Sequence, residues 1–147
     1  MADDALRALY LGSTWSVRAS GGTLRLAPGV LAPRPLRPSA IVTAYNPGSL
    51  PTPLAANRAA ARALVAWATA LGVPHLPARA HGTGPQRLLW SEPALALLGP
   101  PARAAAVKLG REWAQNAVVT VDHAGRVEIV VTRPGFCGLA VGKVLSD

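Results

Sequence analysis

The chain has 147 residues, half of them hydrophobic, and carries a net charge of +8 from 15 basic and 7 acidic side chains. That length fits one domain built on one core. No run approaches the roughly 18 consecutive apolar residues that a membrane span needs, and the single cysteine, Cys137, excludes an internal disulfide framework and a thiolate cluster for a metal.

Residues 1–12 read as a short helical or frayed start; their acidic opening, Met1-Ala2-Asp3-Asp4, is unlike a secretory leader, so a cytoplasmic address is expected, without a membrane partner. Thr14-Trp15-Ser16-Val17-Arg18 alternates as a strand, Gly21-Gly22 turns it, and Thr23-Leu24-Arg25-Leu26 returns as its hairpin partner. Four prolines make 27–38 an irregular connection. Ser39 to Tyr45 is apolar on both faces, the mark of a central strand covered on both sides, and Asn46-Pro47-Gly48-Ser49 ends it. Thr52 is placed to cap a helix that starts at Pro53 and stops at Gly72.

A short strand near 76–80 and a loop follow. Leu88-Leu89-Trp90 and Ala94 to Leu98 read as two apolar pieces split by Ser91-Glu92-Pro93. Pro100-Pro101 opens a second helix that runs to about Gln115, and Ala117–Val121 and Arg126–Val131 make a hairpin about Asp122-His123-Ala124-Gly125. The order predicts an α+β (mixed α/β) fold: a small mixed β-sheet with hairpins at both ends and two main helices packed on it. Residues 1–132 are expected to form a single globular domain and 133–147 a Gly-rich tail.

The charge is unevenly spread. Between Asp4 and Glu92 there is no acidic residue, while Arg18, Arg25, Arg34, Arg37, Arg58, Arg62, Arg79 and Arg87 fall in that span. Arginine in place of lysine, with abundant Ala, Pro and Gly, is what a GC-rich genome writes; that bias does not account for the missing acids. The basic span must face solvent, the C-terminal acids or an anionic partner.

Two asparagines sit where apolar residues are expected. At 100° per residue, Leu54, Ala61, Leu64, Val65, Ala68 and Leu71 share one face of the first helix, and Asn57 lies near its middle. On the second helix Ala102, Ala105, Ala106, Leu109 and Trp113 form the apolar face, and Asn116 continues it, with Lys108, Arg111 and Gln115 opposite. A buried amide without partners costs about 1–3 kcal/mol. Each asparagine therefore serves a turn or cap, or lies where the core opens at the carboxyl end of the central strand, which is where open α/β folds place ligands.

At these residues the chain resembles an uncharacterised bacterial family, domain of unknown function 3293. The resemblance rests on Ala44-Tyr45-Asn46-Pro47 with Ser49, on Asn57, on Trp90 and Glu92, and on the run Leu109-Gly110-Arg111-Glu112-Trp113-Ala114-Gln115-Asn116-Ala117-Val118-Val119. Tyr45 stands where the family has Trp, Trp113 where it has Phe, and Ala114 where it has Gly; a serine often found just after the family's Glu is replaced here by Pro93-Ala94. The resemblance implies a fold and marks positions; it implies no reaction.

Known chemical motifs are missing. Gly138 to Lys143 is one residue short of a phosphate-binding loop and lacks its hydroxyl. His75, His81 and His123 lack metal-ligand spacing, so no metal and no cofactor are expected. Glu92, amid arginines, is expected to have a lowered pKa and to pair with an arginine or the asparagines rather than act as a base.

Three functional readings follow. The leading one is a nucleic-acid-binding accessory protein, for DNA or RNA, with Arg34, Arg37, Arg58, Arg62, Arg79, Arg87 and Lys108 on phosphates and Trp15, Trp67 and Trp90 interleaved for stacking. The second is a small-ligand domain or an enzyme for a polar or phosphorylated molecule, with Asn46, Ser49, Asn57, Glu92, Arg111, Gln115 and Asn116 as the site. The third is a protein–protein adaptor that docks a partner on its edge strands or proline-rich arm.

Overall fold

Side-chain alternation along the strands builds two cores, one on each face of a single sheet. The computed structural model describes residues 3–83 and 89–146, the side chains of 83, 89 and 90 excepted. In chain order the elements are helix α1 (Asp3–Leu11), strands β1 (Thr14–Ala19), β2 (Gly22–Leu26) and β3 (Ser39–Val42), helix α2 (Leu54–Ala70), strands β4 (His75–Thr83) and β5 (Leu89–Leu98), helix α3 (Ala102–Glu112), and strands β6 (Ala117–Val121), β7 (Val127–Val131) and β8 (Val144–Leu145). The strands pair in the order β2-β1-β4-β5-β3-β6-β7-β8. Every described pairing is antiparallel, so the α+β class holds, with a sheet larger than the sequence suggests and without parallel neighbours.

β3 is buried along its whole length, as its two apolar faces require. Ala40 and Val42 turn to one side with Leu95, Leu97, Val118 and Val130, against Leu64 and Ala68 of α2 and Ala102, Ala106 and Leu109 of α3. Ile41 turns to the other side with Trp15, Val17, Ala78, Ala80, Ala96, Val119 and Ile129, under Leu6 of α1, Ala32 and Leu36 of the proline-rich connection, and Phe136. The two main helices thus share one face, and the opposite face is closed by α1 and by segments that read from sequence as irregular. Residues 133–146 pack back onto the fold: Phe136 is fully buried, and β8 adds to the sheet edge beside β7.

Three local expectations are corrected. Residues 89–98 form one strand rather than two pieces. Leu98 donates to Pro74 across the β4 ladder, so by antiparallel alternation the nitrogen of Pro93 points toward β3. β3 ends at Val42, short of that level, so a residue with no N–H sits there without breaking a ladder bond. Thr52 does not cap α2; its hydroxyl donates to the Leu50 carbonyl, and the helix begins after Pro53. On α2 only Asn57, Leu64 and Ala68 are buried, while Leu54, Val65 and Leu71 are exposed, so the buried stripe is narrower than the wheel suggests.

Both main helices end in the same way. At the end of α2, Gly72 (φ 66°) donates to Thr69 and Val73 to Ala68, the 5→2 and 6→1 bonds of a glycine-terminated helix. At the end of α3, Ala114 donates to Arg111 and Gln115 to Gly110, and here an alanine holds the left-handed conformation at φ 52°. Gly110 has a different reason to be glycine. A Cβ there would lie 2.8 Å from Val118 Cγ1 and 2.9 Å from Thr132 Cγ2, so α3 sits on the sheet at a distance no side chain permits.

Candidate functional site

Between α1 and the sheet the packing leaves a cavity of about 80 Å³. Its floor is apolar: Trp15, Ile41, Ala80, Ala94, Ala117, Val119 and Ile129, with Leu9 from α1 above. Its polar groups gather at one end, from Tyr10, Ser13, Thr43, Tyr45, Asn46, Ser49, Glu92 and Gln115. That end is where β3 leaves the sheet, beside the first turn of α2 and the last of α3.

The loop after β3 is held by side chains acting on backbone. Asn57 is buried; its Oδ1 accepts from the Asn46 N–H at 2.9 Å, and its Nδ2 donates to Asn46 Oδ1 at 2.9 Å and to the Thr52 carbonyl at 3.3 Å. Asn46 Oδ1 also accepts from the Thr52 N–H at 3.1 Å. The Gly48 N–H donates to the Ala114 carbonyl at 2.7 Å and latches the loop to the end of α3. Asn46 (φ 46°), Ser49 (φ 61°) and Ala114 (φ 52°) all carry positive φ, a conformation that costs on the order of 1–2 kcal/mol for each residue with a Cβ. Three of the four described non-glycine residues with positive φ thus surround the polar end of the cavity.

From this frame the polar groups are aimed. Asn116 is fully buried and its Nδ2 donates to Ser49 Oγ at 2.9 Å, while Ser49 Oγ lies 3.3 Å from the Tyr10 hydroxyl. Asn116 Oδ1 is a buried acceptor with no hydrogen-bond partner among the described residues. Gln115 Nε2 donates to the Tyr45 carbonyl at 3.0 Å and to the Trp113 carbonyl at 3.3 Å. Asn46 Nδ2 donates to Glu92 Oε2 over a long 3.4 Å. Burial pushes the Tyr10 phenol above its usual range, against the pull of its Ser49 contact, so it stays a neutral hydroxyl that can donate or accept.

Glu92 reverses the sequence expectation. It is only 7% exposed, and burial pushes its carboxyl up to about 7, against the pull of the Asn46 amide and the Thr43 hydroxyl. That hydroxyl can turn between the carboxylate and the Pro93 carbonyl, 2.9 Å away. The expected arginine neighbours are on the other side of the sheet. Ala80 pairs with Glu92 and faces the cavity, so Arg79, one residue along, faces away. No lysine, arginine or histidine among the described residues lines the cavity.

Of the sequence-derived ligand candidates, Asn46, Ser49, Glu92 and Gln115 line the cavity; Asn57 and Asn116 support it from behind. Arg111 does not belong to it: it is exposed on the outer side of α3, beside Arg103 and Lys108, as its place on the polar face of the helix requires. Sequence reasoning missed Tyr10, Ser13, Trp15 and Thr43. The signals available were the apolar spacing of Leu6, Leu9 and Tyr10 on a short helix and the alternation that puts Trp15 and Val17 on one face of β1.

The nucleic-acid candidates scatter. Arg34, Arg58, Arg62, Arg79 and Lys108 are exposed, and Arg87 lies outside the described residues. Arg37 is committed to the fold: its Nε donates to the Ala32 carbonyl at 2.6 Å, and its guanidinium lies over Gly125, where it leaves no room for a Cβ. Trp15 is buried in the cavity floor and is not free to stack on a base, Trp67 is partly buried against the α2–α3 core, and the Trp90 side chain lies outside the described residues. Cys137 lies beyond the far end of α1, its N–H donating to Asp3 Oδ2, and burial raises its thiol, which disfavours the thiolate. Among the described residues no helix is long and apolar enough to cross a membrane.

Comparison with curated proteins and with solved structures finds no match to this chain. The model of one family, described as protein of unknown function (DUF3293), matches residues 42–118, which is just over half of the chain and spans the site from Thr43 to Ala117. With Asn46, Ser49, Asn57, Glu92, Gly110, Gln115 and Asn116 all inside that match, the chain belongs to the DUF3293 family.

Proposed function

We propose that the cavity binds a compact small molecule with an apolar body and an N–H or O–H donor, and that Glu92 recognises the donor and exchanges a proton with it. The observation that carries this reading is a buried carboxyl that faces a cavity and has no cation to pair with among the described residues. A buried acid held near neutrality is costly, and such groups concentrate where ligands or reactions use them. A water needs roughly 10–15 Å³ of such space, and drug-sized ligands use about 300–1,000 Å³. At about 80 Å³ the cavity suits a small organic group rather than a nucleotide. A phosphorylated ligand fits the lining poorly, because an anion beside Glu92 would meet a carboxyl and, among the described residues, no guanidinium or ammonium. Asn46, Gln115, Ser49 and Tyr10 add neutral groups that orient without supplying charge.

The test is calorimetric titration with small amines, alcohols and amides, and with small carboxylates and phosphates as contrast. Donor-bearing compounds are expected to bind, with amines tightening as pH rises through 7 and Glu92 ionises. Glu92→Gln is expected to weaken amine binding by tenfold or more, and Ala94→Phe, which fills the cavity, to abolish binding of every class. Binding that survives Ala94→Phe, or a preference for anions, would overturn the proposal.

A further inference from the structure

A second surface lies on the opposite side of the sheet. Because Trp15 and Val17, Leu24 and Leu26, and Ala78 and Ala80 turn toward α1, the residues between them turn the other way: Ser16 and Arg18 on β1, Thr23 and Arg25 on β2, Arg79 and His81 on β4. That is the side on which α2 and α3 pack, yet their core draws on β5, β3, β6 and β7 and on no residue of β1, β2 or β4. His75 and Pro77 of β4 border a groove with α2, and beyond them, among the described residues, Arg18, Arg25 and Arg79 at the three-strand end of the sheet are exposed.

We propose that this open face binds the sugar–phosphate backbone of nucleic acid. The register sets the arginines in order. Ser16 pairs with Arg25 on one side and with Arg79 on the other, so the two arginines flank it in one row across three strands, about 10 Å apart at the backbone. Arg18 follows two positions along β1, about 7 Å further. Arg79 Nε donates to Ser91 Oγ at 3.1 Å, and His81 Nε2 lies 3.0 Å from Ser16 Oγ, two separate side-chain contacts on the same face.

Among the described residues no acid compensates the charge on this face. β1, β2 and β4 contain no acid, Glu92 of β5 turns into the cavity on the other side, and the ion pair among the described residues joins Arg133 to Asp3 elsewhere. On the same side of the sheet, α2 has no acid in its 17 residues and exposes Arg58 and Arg62. Guanidinium forks match phosphate oxygens two at a time. A membrane is the poorer partner, because the exposed large apolar side chains, such as Val30, Leu31 and Leu71, are not on these three strands. No Phe, Tyr or Trp side chain among the described residues faces out from them either, and His81 is engaged with Ser16, so contact is through phosphates and without sequence preference. Arg18 and Arg25, absent from the sequence-derived candidates, become central because the register brings them beside Arg79.

The experiment is fluorescence anisotropy with labelled single-stranded DNA, RNA and duplex DNA, from about 50 to about 200 mM salt, a range over which phosphate contacts weaken steeply. The wild-type protein is compared with the triple variant Arg18→Gln, Arg25→Gln, Arg79→Gln. A second triple variant, Arg103→Gln, Lys108→Gln, Arg111→Gln, removes equal charge from α3. The first is expected to bind at least tenfold more weakly at low salt, with a log–log salt slope shallower by about 3, about one for each arginine that no longer neutralises a phosphate; the second should stay within about twofold of wild type. If the first triple variant fails to fold, Arg18→Gln and Arg25→Gln singly should each flatten the slope by about 1. Absence of wild-type binding at low salt, equal weakening in both triple variants, or binding to anionic phospholipid vesicles but not to nucleic acid would each overturn the proposal. The cavity is on the other face, so none of these results bears on the small-molecule reading.

Discussion

Replacing Glu92 by Gln should make the protein more stable at alkaline pH and change little at acid pH. The carboxyl has its ordinary value of 4.5 in the unfolded chain and about 7 in the folded one. The folded state therefore binds more protons than the unfolded state between these values, and stability falls as pH rises through that window. A displacement of about 2.5 pH units, at about 1.4 kcal/mol per unit, makes the loss about 3 kcal/mol, complete above pH 7 and absent below 4.5. Gln keeps an oxygen for the Asn46 amide and has no proton to lose. Relative to wild type, Glu92→Gln should thus gain about 3 kcal/mol between pH 4.5 and pH 8, or about 6–12 °C in melting temperature for a chain of this size. Urea or thermal unfolding of both proteins at half-unit pH steps measures it. A difference between the two that does not change with pH would refute the reasoning, since it would mean that Glu92 titrates alike in both states.

The frame of the site makes further predictions. Ala114→Gly should stabilise by about 1 kcal/mol, seen as a small rise in melting temperature, because glycine holds φ near 52° without the steric cost that Ala114 bears. Gly110→Ala should cost about 1–3 kcal/mol by overpacking against Val118 and Thr132, and Val118→Ala in the same chain should recover part of it, which a double-mutant cycle by denaturant unfolding would show. Asn57→Ala should cost about 2 kcal/mol and speed hydrogen exchange at residues 45–52, since the Asn46 N–H and the Thr52 carbonyl lose a partner. Unchanged exchange there would mean that Asn57 does not hold the loop.

Much of the fold is legible because it is written in local pattern. Ser39-Ala40-Ile41-Val42 is apolar on both faces and is buried on both; Gly72 ends α2 as glycine geometry requires; the run from Leu109 to Val119 marks the helix, the turn and the strand that carry Gln115 and Asn116. What escapes a local reading depends on distant pairing. Pro93 looks like a break in β5, because only the ending of β3 at Val42 shows that its missing N–H costs no bond. Divided into two pieces, β5 loses its alternation, and with it the parity that separates Glu92 from Arg79. Proximity in sequence then suggests a lowered carboxyl pKa, where opposite faces of one sheet produce a raised one. Tyr10 reaches Ser49 and Asn116 only because α1 folds across the sheet, and nothing local to residues 1–12 encodes that contact.

Glu92 and its cavity stand or fall together, and the direct measurement is a carbon-13 NMR titration of the Glu92 carboxyl, assigned by its loss in Glu92→Gln, in the protein alone and saturated with the tightest-binding amine. The account predicts a midpoint near 7 in the free protein, displaced by at least one pH unit to lower values when the cationic donor is bound, because an adjacent positive charge favours the carboxylate. A midpoint near 4.5 in the free protein, or one near 7 that the bound amine leaves unmoved, would contradict it.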